Sequence, residues 1–598
     1  VLREYALIAD GERGALIGPD GTIAWMCAPR WDDPAVFGHL LGAAGRYTVI
    51  PADPWHVWGG YYEEGTLIWR SRWTGKAKTE CREALALPAD PHRCVLLRRI
   101  EATDGPAKVM VSLDVRSGFG KREMTDLRRS GGCWTGRSGD LRFRWSGGAK
   151  ARPASDGSLA LTVSLAAGDH HDLVLELSDR PFDDGPPDPD GTWLATQEAW
   201  ADLVPGCDEL VAVRDARHAY AVLRGLTSSS GAMVAAATTS LPERLEGGRN
   251  YDYRFAWIRD QCFAGQAVAS YGPHPLLDGT LRFLTERVLA DGPALEPAYT
   301  VRGEPIASDR KLRMPGYPGG TVVIGNRVRT QFQLDCFGEI LQLMAAAARQ
   351  DLLTAENWRA TEVVAGAIAQ RWQEADAGVW ELDNQHWAHS RLACVAGLRA
   401  IAAIRRPSGA GHNQAAQWSA LADTILASLG DCVHPSGRWQ RAPDDERVDA
   451  ALLVPALRGA LPPDDPRSVA TLHAVGSELA EDGYLYRFRQ DNRPLHKAEG
   501  AFLLCGFWMA QAVHQTGDEV TAARWFERNR AACGPAGLYT EEYDVYQRQL
   551  RGNLPQAFVH AGLLETAVQL SAPPAARSAS PGPGGLAATA ESAPVLAG

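Results

Sequence analysis

The spacing of apolar residues changes its period once along the chain, near residue 190, and that change dictates two architectures in series. In SLALTVSL, Leu159, Leu161, Val163 and Leu165 alternate with small or polar residues, and Leu173, Leu175 and Leu177 do so again. Period two marks half-buried strands. Further extended runs stand at 66–73, 94–102, 107–115 and 141–147, and Pro19-Asp20-Gly21 makes a turn between two apolar runs. Many strands with Gly, Pro and Asp turns predict a sandwich of two antiparallel β-sheets over residues 1–189. Pro, Asp and Gly then cluster in DDGPPDPDGTW, 183–193, and the following stretch turns helical, which sets a linker helix at 190–207. From 208 onward apolar residues recur with a period near 3.6, in twelve segments running from 208–224 to 555–570. A dozen helices with loops of uneven length and Gly- and aromatic-rich joints fit a double ring of six hairpins, an (α/α)6 barrel over 208–572, better than a simple bundle. A solenoid of helical pairs would carry a fixed sequence period, and none is present. Residues 573–598, with one Arg, one Glu and no aromatic ring, cannot build a core and read as a flexible tail.

Composition narrows the function. With 45% hydrophobic and 22% charged residues the 598-residue chain is ordinary globular protein. Its charges, 61 basic against 72 acidic, sum to −11, so no global positive field exists to hold a polyphosphate, and nucleic acid is not expected as a partner. No segment approaches about eighteen uninterrupted apolar residues, which argues against a membrane span. Eleven widely spaced cysteines without a CxxC read as buried free thiols of a reducing compartment. With no basic-then-apolar leader at the start, the expected location is cytoplasmic. No P-loop, dinucleotide fingerprint, HExxH or GxSxG occurs, and His170-His171, the one adjacent histidine pair, reads as part of a solvated hairpin. Neither metal nor cofactor is expected. Nineteen tryptophans against fifteen tyrosines and fourteen phenylalanines is a high share, and an indole suits the C–H face of a sugar ring as well as a protein core.

Three clusters in the helical half place polar and aromatic residues densely at helix joints. In RNYDYRFAWIRD, 249–260, Tyr251, Tyr253, Phe255 and Trp257 alternate before Arg259-Asp260. An extended segment there presents rings on one side, while Arg259 and Asp260 supply the donors and acceptors that sugar hydroxyls need. An ordinary helix start with an acidic first turn fits the same residues. In DAGVWELDNQHWAHSRLAC, 376–394, Glu381 follows Trp380. A carboxyl partly desolvated by an indole keeps its proton to higher pH, as a general acid must, although an exposed loop glutamate has the same sequence. In GLYTEEYDVYQRQLRGNLPQAFVH, 537–560, Glu541, Glu542 and Asp544 crowd together among tyrosines. Such like charges raise one another's pKa unless hydrogen-bonded or directed apart, and a solvated acidic turn is the plain alternative.

At these clusters the sequence resembles glycoside hydrolase family 15, the group of glucoamylases, bacterial trehalases and isomaltose glucohydrolases. The likeness runs from about residue 4 to 570, through YALIADGERGALIGPDGTIAWMCAPRWDDPAVF, the three clusters above, GYPGGTVVIGNRVRTQFQLDCFGE and AEGAFLLCGFW. The resemblance implies a β-sandwich, a linker helix and an (α/α)6 barrel. It also implies that Glu381 is the general acid and Glu541 the general base of an inverting reaction, with the carboxyls about 6.5–9.5 Å apart to admit a water. By the same likeness Arg259 and Asp260 hold the terminal glucose, and Arg487 in GYLYRFRQ is a further sugar-binding arginine. Trp257, Tyr251, Trp380 and Glu542, which flank these residues in the clusters, are further expected substrate-binding residues. Leu382 stands where starch glucoamylases commonly carry a second acidic residue, which argues against starch-like recognition of the leaving sugar.

The implied substrate is a short gluco-oligosaccharide cleaved from its non-reducing end to release β-glucose. Isomaltose or another α-1,6-linked glucoside is the first choice, helped by ELDNQHWAHSRLACVAGLRAI; trehalose, or α-1,4-linked malto-oligosaccharide, is the alternative. A phosphorolytic enzyme on the same barrel would replace the second carboxylate by a phosphate site, and a non-catalytic sugar-binding protein would have lost one carboxylate; this chain has both.

Overall fold

The computed structural model describes residues 1–244, 248–405 and 412–572, so the tail expected over 573–598 lies outside the described residues. Two eight-stranded antiparallel sheets form the N-terminal part. The first runs in the order Ala6–Ala9, Gly14–Ile17, Thr22–Cys27, Arg46–Pro51, Ala107–Asp114, Leu159–Leu165 and Arg152–Pro153, with Ala35–Phe37 also paired to Thr22–Cys27. The second runs Met124–Ser130, Cys133–Ser138, Leu141–Ser146, His170–Ser178, Arg93–Ala102, Lys78–Leu85, Trp69–Thr74 and Val57–Tyr62. Tyr47 of the first sheet meets Trp145 of the second edge to face, and the indole donates to its hydroxyl at 3.0 Å. Strand Lys78–Leu85 carries no clear apolar period because ion pairs bury it: Glu83 and Arg98, both fully buried, lie 2.5 Å apart, and Arg98 reaches across to the carbonyls of Gly21 and Tyr47. A helix at Pro189–Leu203, capped by the Asp188 side chain, follows the last strand.

The remaining helices close a double ring. Its inner helices are Ile258–Tyr271, Asp335–Ala348, Ala388–Ala402, the short Val454–Leu457 entered through the 3-10 turn Ala450–Leu453, Leu503–Gln515 and Ala557–Ser571. Each packs on the next, and the last returns to the first. The outer helices Pro275–Asp291, Ala355–Arg371, His412–Ala427, Pro466–Glu478, Glu519–Arg530 and Val213–Gly225 back them in turn. This is the (α/α)6 barrel the twelve helical periods imply, although the fourth inner helix is half a 3-10 turn and half a single α-turn. Close approach of the second and third inner helices depends on paired glycines: a Cβ on Gly397 would stand 2.4 Å from the Gly338 carbonyl oxygen.

All eleven cysteines are free, and all but Cys533 are buried. Among the described residues no helix is long and apolar enough to cross a membrane. His170 lies, exposed, at the start of strand His170–Ser178, near Asp172 and Asp190. Both of those carboxylates are already bridged by the Arg99 guanidinium.

Candidate active site

The N-terminal ends of inner helices open on one cavity, with Arg259 and Asp260 from the first, Leu504 from the fifth and Phe558 from the last. Helix N-termini carry a partial positive charge, a fitting environment for carboxylates and hydroxyl oxygens. Residues 251–257 approach it extended, because Ala235, Ala236 and Ser240 donate their amides to the carbonyls of Phe255, Tyr253 and Tyr251. Side chains therefore alternate. Tyr251 and Tyr253 stack with centroids 6.2 Å apart, Trp257 meets Tyr253 edge-on at 5.5 Å, and all three line the cavity. On the other side, Asp252 and Arg254 form a buried pair, 2.7 Å apart, and Arg254 reaches the β-sandwich to donate to the Asp33 carbonyl at 2.8 Å.

Glu381 enters the cavity from a tight turn in which its amide donates to the Gly378 carbonyl and that of Leu382 to the Ala377 carbonyl. Its φ is +55°, a left-handed conformation that costs a non-glycine residue on the order of 1–3 kcal/mol and recurs at functional sites. One carboxylate oxygen accepts from the Trp257 indole at 2.7 Å and from Arg259 at 3.1 Å. The sequence pointed to Trp380 as the indole against this carboxyl. Instead Trp380 lines the cavity but donates to Asp449 at 2.9 Å and packs against Phe502 and Trp508.

Glu541 lies beside the short strand Glu542–Asp544 and is 7% exposed. Its carboxyl accepts from the Tyr253 hydroxyl at 3.2 Å, and that hydroxyl stands equally far from Glu243. Burial raises the Glu541 pKa, against Arg487 and the hydrogen bonds from Glu243 and Tyr253, which lower it. Asp260, 2% exposed, is pushed up to about 7 by burial, with Arg259 opposing, and its Oδ2 accepts no hydrogen bond in the protein, the Arg259 Nε standing 3.8 Å away. Arg259 is held by the Gln333 side chain at 2.9 Å as well as by Glu381.

Arg487 lines the cavity with its charge committed to Glu499, 2.6 Å away, and its guanidinium over the Phe502 ring. Glu542 departs from the expectation. Next to Glu541 in a locally extended chain, its side chain points the other way, is fully buried, accepts from the Gly500 amide at 2.9 Å and does not line the cavity. The crowded acids are thus directed apart rather than solvated. Glu243, Arg249 and Glu499 are the functional candidates that the sequence reading passed over. Only Arg249 carried a signal, as the first residue of the cluster 249–260, while Glu243 in LPERLEGG looks like a charged loop residue.

Three glutamates, Glu243, Glu381 and Glu541, thus share one cavity with an arginine–aspartate pair and aromatic rings at the mouth of an (α/α)6 barrel, a set of groups suited to a glycoside hydrolase. A family model described as glycosyl hydrolases family 15 matches residues 217–568, and one described as trehalase-like, N-terminal, matches residues 2–179. The chain belongs to glycoside hydrolase family 15. A trehalase of Mycobacterium tuberculosis is 30% identical over 95% of this chain and 89% of its own length. An isomaltose glucohydrolase of Kribbella flavida is 27% identical over 53% of this chain and 80% of its own. The crystal structure of a bacterial glucoamylase complexed with acarbose has the same fold, with a TM-score of 0.68 at 14% identity over 95% of this chain and 94% of that one.

Proposed function

We propose that the protein hydrolyses α,α-trehalose, two glucoses joined through their anomeric carbons, with inversion at the attacked carbon. Glu381 protonates the bridging oxygen, and Glu541 takes a proton from the water that attacks the opposite face. Arg259 and Asp260 bind the outer hydroxyls of the glucose being attacked, and the aromatic rings of residues 251–257 pack on its apolar faces. The observation that carries this reading is the meeting of Glu381 and Glu541, from distant parts of the chain, in one cavity that also holds Arg259 and Asp260. Support for trehalose over isomaltose, the first choice from sequence, comes from the relatives. The near-full-length match is to a protein named trehalase, whereas the isomaltose glucohydrolase aligns over about half of the chain. Leu382 follows Glu381 in the cavity wall, so no second carboxylate stands directly after the acid.

Incubation with trehalose, isomaltose, maltose and panose, with anomers resolved by proton NMR in the first minutes, tests substrate and stereochemistry together. The expected result is fastest cleavage of trehalose, giving one β-glucose and one α-glucose per turnover before mutarotation. A faster reaction on isomaltose would transfer the assignment to that sugar. Glu381→Gln and Glu541→Gln should each lower kcat by roughly 10²- to 10⁴-fold with the fold kept, and near-normal turnover in either variant would remove that residue from the mechanism.

A further inference from the structure

Glu243 belongs to no sequence cluster and to no role so far assigned, yet it shares the wall of the cavity with Glu541 and is 4% exposed. Its place is fixed from both sides. Gly552 donates its amide to the Pro242 carbonyl at 3.0 Å, and a Cβ on Gly552 would stand 3.4 Å from the Glu243 Cγ and 3.9 Å from the Glu541 Cβ. The Tyr253 hydroxyl lies 3.2 Å from an oxygen of each carboxyl, and with one proton it can donate to only one of them at a time. Among the described residues no other side chain donates to Glu243.

The surrounding charges do not balance if every acid is ionised. Four buried carboxyls, those of Glu243, Glu499, Glu541 and Glu542, gather around two guanidiniums, Arg249 and Arg487. Both guanidiniums spend their hydrogen bonds on Glu499, at 3.0 and 2.6 Å, and Arg249 also on Gln490. Tyr251 is a further neighbour without a positive charge. On its far side Glu243 borders a second cavity whose wall includes Arg244, Arg493, His496, Lys497, Asp544 and Arg551. Two like charges so near each other in a dry site cannot both persist. Among the described residues neither Glu243 nor Glu541 has an ion-pair partner, but Arg487 is the main group opposing burial at Glu541, whereas at Glu243 the neighbouring Glu541 and Glu542 outweigh both arginines, so Glu243 is the one that keeps its proton.

We propose that Glu243 is a positioning residue for the base: its carboxyl keeps a proton and uses it in a hydrogen bond to Glu541, so that Glu541 meets the attacking water as the ionised member of the pair. This rests on the reading of Glu541 as base. The direction of titration agrees. Burial, then Glu541 and Glu542, hold the Glu243 carboxyl well above the usual range; burial raises Glu541 too, with Glu381 adding to it, but there Arg487 and the hydrogen bonds from Glu243 and Tyr253 oppose the rise. A protonated partner also fixes which Glu541 lone pairs remain free for water.

The test is the pH profile of kcat/KM, with kcat and KM separated, for Glu243→Gln, which keeps a donor, and Glu243→Met, which fills a similar volume without one. In Glu243→Met, kcat should fall roughly 10- to 100-fold, the loss of a hydrogen bond to a charged group, with KM little changed. Its acid limb should move up by about one pH unit, because Glu541 is harder to ionise without the donor. Glu243→Gln should recover most of the turnover and place the acid limb at or below that of the parent. An unmoved limb in Glu243→Met, or a Gln variant no better than Met, overturns the proposal. Glu541→Gln, assayed beside them, separates the two claims: full activity there sinks the base assignment itself, whereas an inactive Glu541→Gln with an unmoved Met profile sinks only the role of Glu243.

Discussion

His389, in the first turn of inner helix Ala388–Ala402, is buried with neither ring nitrogen hydrogen-bonded in the protein, facing Asp335 and Arg259. Burial lowers its pKa from 6.5 to about 4, so the native state keeps it neutral where the unfolded chain takes up a proton. A buried neutral histidine therefore contributes stability fully at high pH and loses it as pH falls from 6.5 toward about 4. Between pH 7 and pH 5 that loss is about 2 kcal/mol at 1.36 kcal/mol per pH unit. His389→Phe should flatten this acid slope by that amount, measured as the difference between parent and variant in urea unfolding at the two pH values. The comparison must be a difference, since buried acids such as Asp260 and Glu339, both raised to about 7, lose stability in the opposite direction as pH rises. At this scale the sequence showed residues whose neighbours were unusual, Arg259-Asp260 after alternating rings and Glu541 in an acid cluster. It did not show Glu243 or Glu499, because a carboxyl buried by groups far along the chain looks locally like any solvated one.

Elements follow local rules more faithfully than single side chains do, and they fail where charge substitutes for apolar burial. The period of two and the period near 3.6 each found most of their strands and helices, but strand Lys78–Leu85 was hidden by the buried Glu83–Arg98 pair. One of the twelve helical segments of the sequence spans 448–457, and the structure makes it a 3-10 turn and one α-turn, a shape set by its neighbours in the ring rather than by its own apolar spacing. The second and third inner helices show the same dependence on context. Their contact at Gly338 and Gly397 leaves no room for a methyl group, since a Cβ on Gly397 would also come within 2.9 Å of the Leu341 Cβ. Gly397→Ala, which improves helix propensity and would stabilise an exposed helix, should here destabilise by about 1–3 kcal/mol through overpacking, read as a lower urea midpoint at unchanged slope.

Across the whole molecule the β-sandwich is part of how the cavity is built. Besides Arg254 on the Asp33 carbonyl, the Trp25 indole donates to the Ala237 carbonyl at 2.9 Å and the Ser229 amide donates to Glu12 at 2.7 Å, so the N-terminal part holds both the segment that carries Tyr251, Tyr253 and Trp257 and the neighbouring stretch whose Ala235 and Ala236 amides pair with it. Arg254→Ala leaves Asp252 buried without its cation and should cost about 3–5 kcal/mol, measured by denaturant unfolding of the full chain. Turnover should fall along with stability, because the aromatic segment loses its anchor; unaltered kcat/KM in a folded variant would show that the barrel holds its own mouth in shape. The barrel, for its part, is complete only where Ala557–Ser571 meets Ile258–Tyr271 and the Ala557 amide finds the Ala235 carbonyl. A ribosome releases the chain from its amino end, so the sandwich can mature early while the later staves hang as an unclosed arc with bare apolar flanks. Catalytic competence then arrives all at once, with the final helix, and a polypeptide arrested before it would be a half-made vessel: folded at one end, exposed to aggregation at the other, and unable to cleave any sugar.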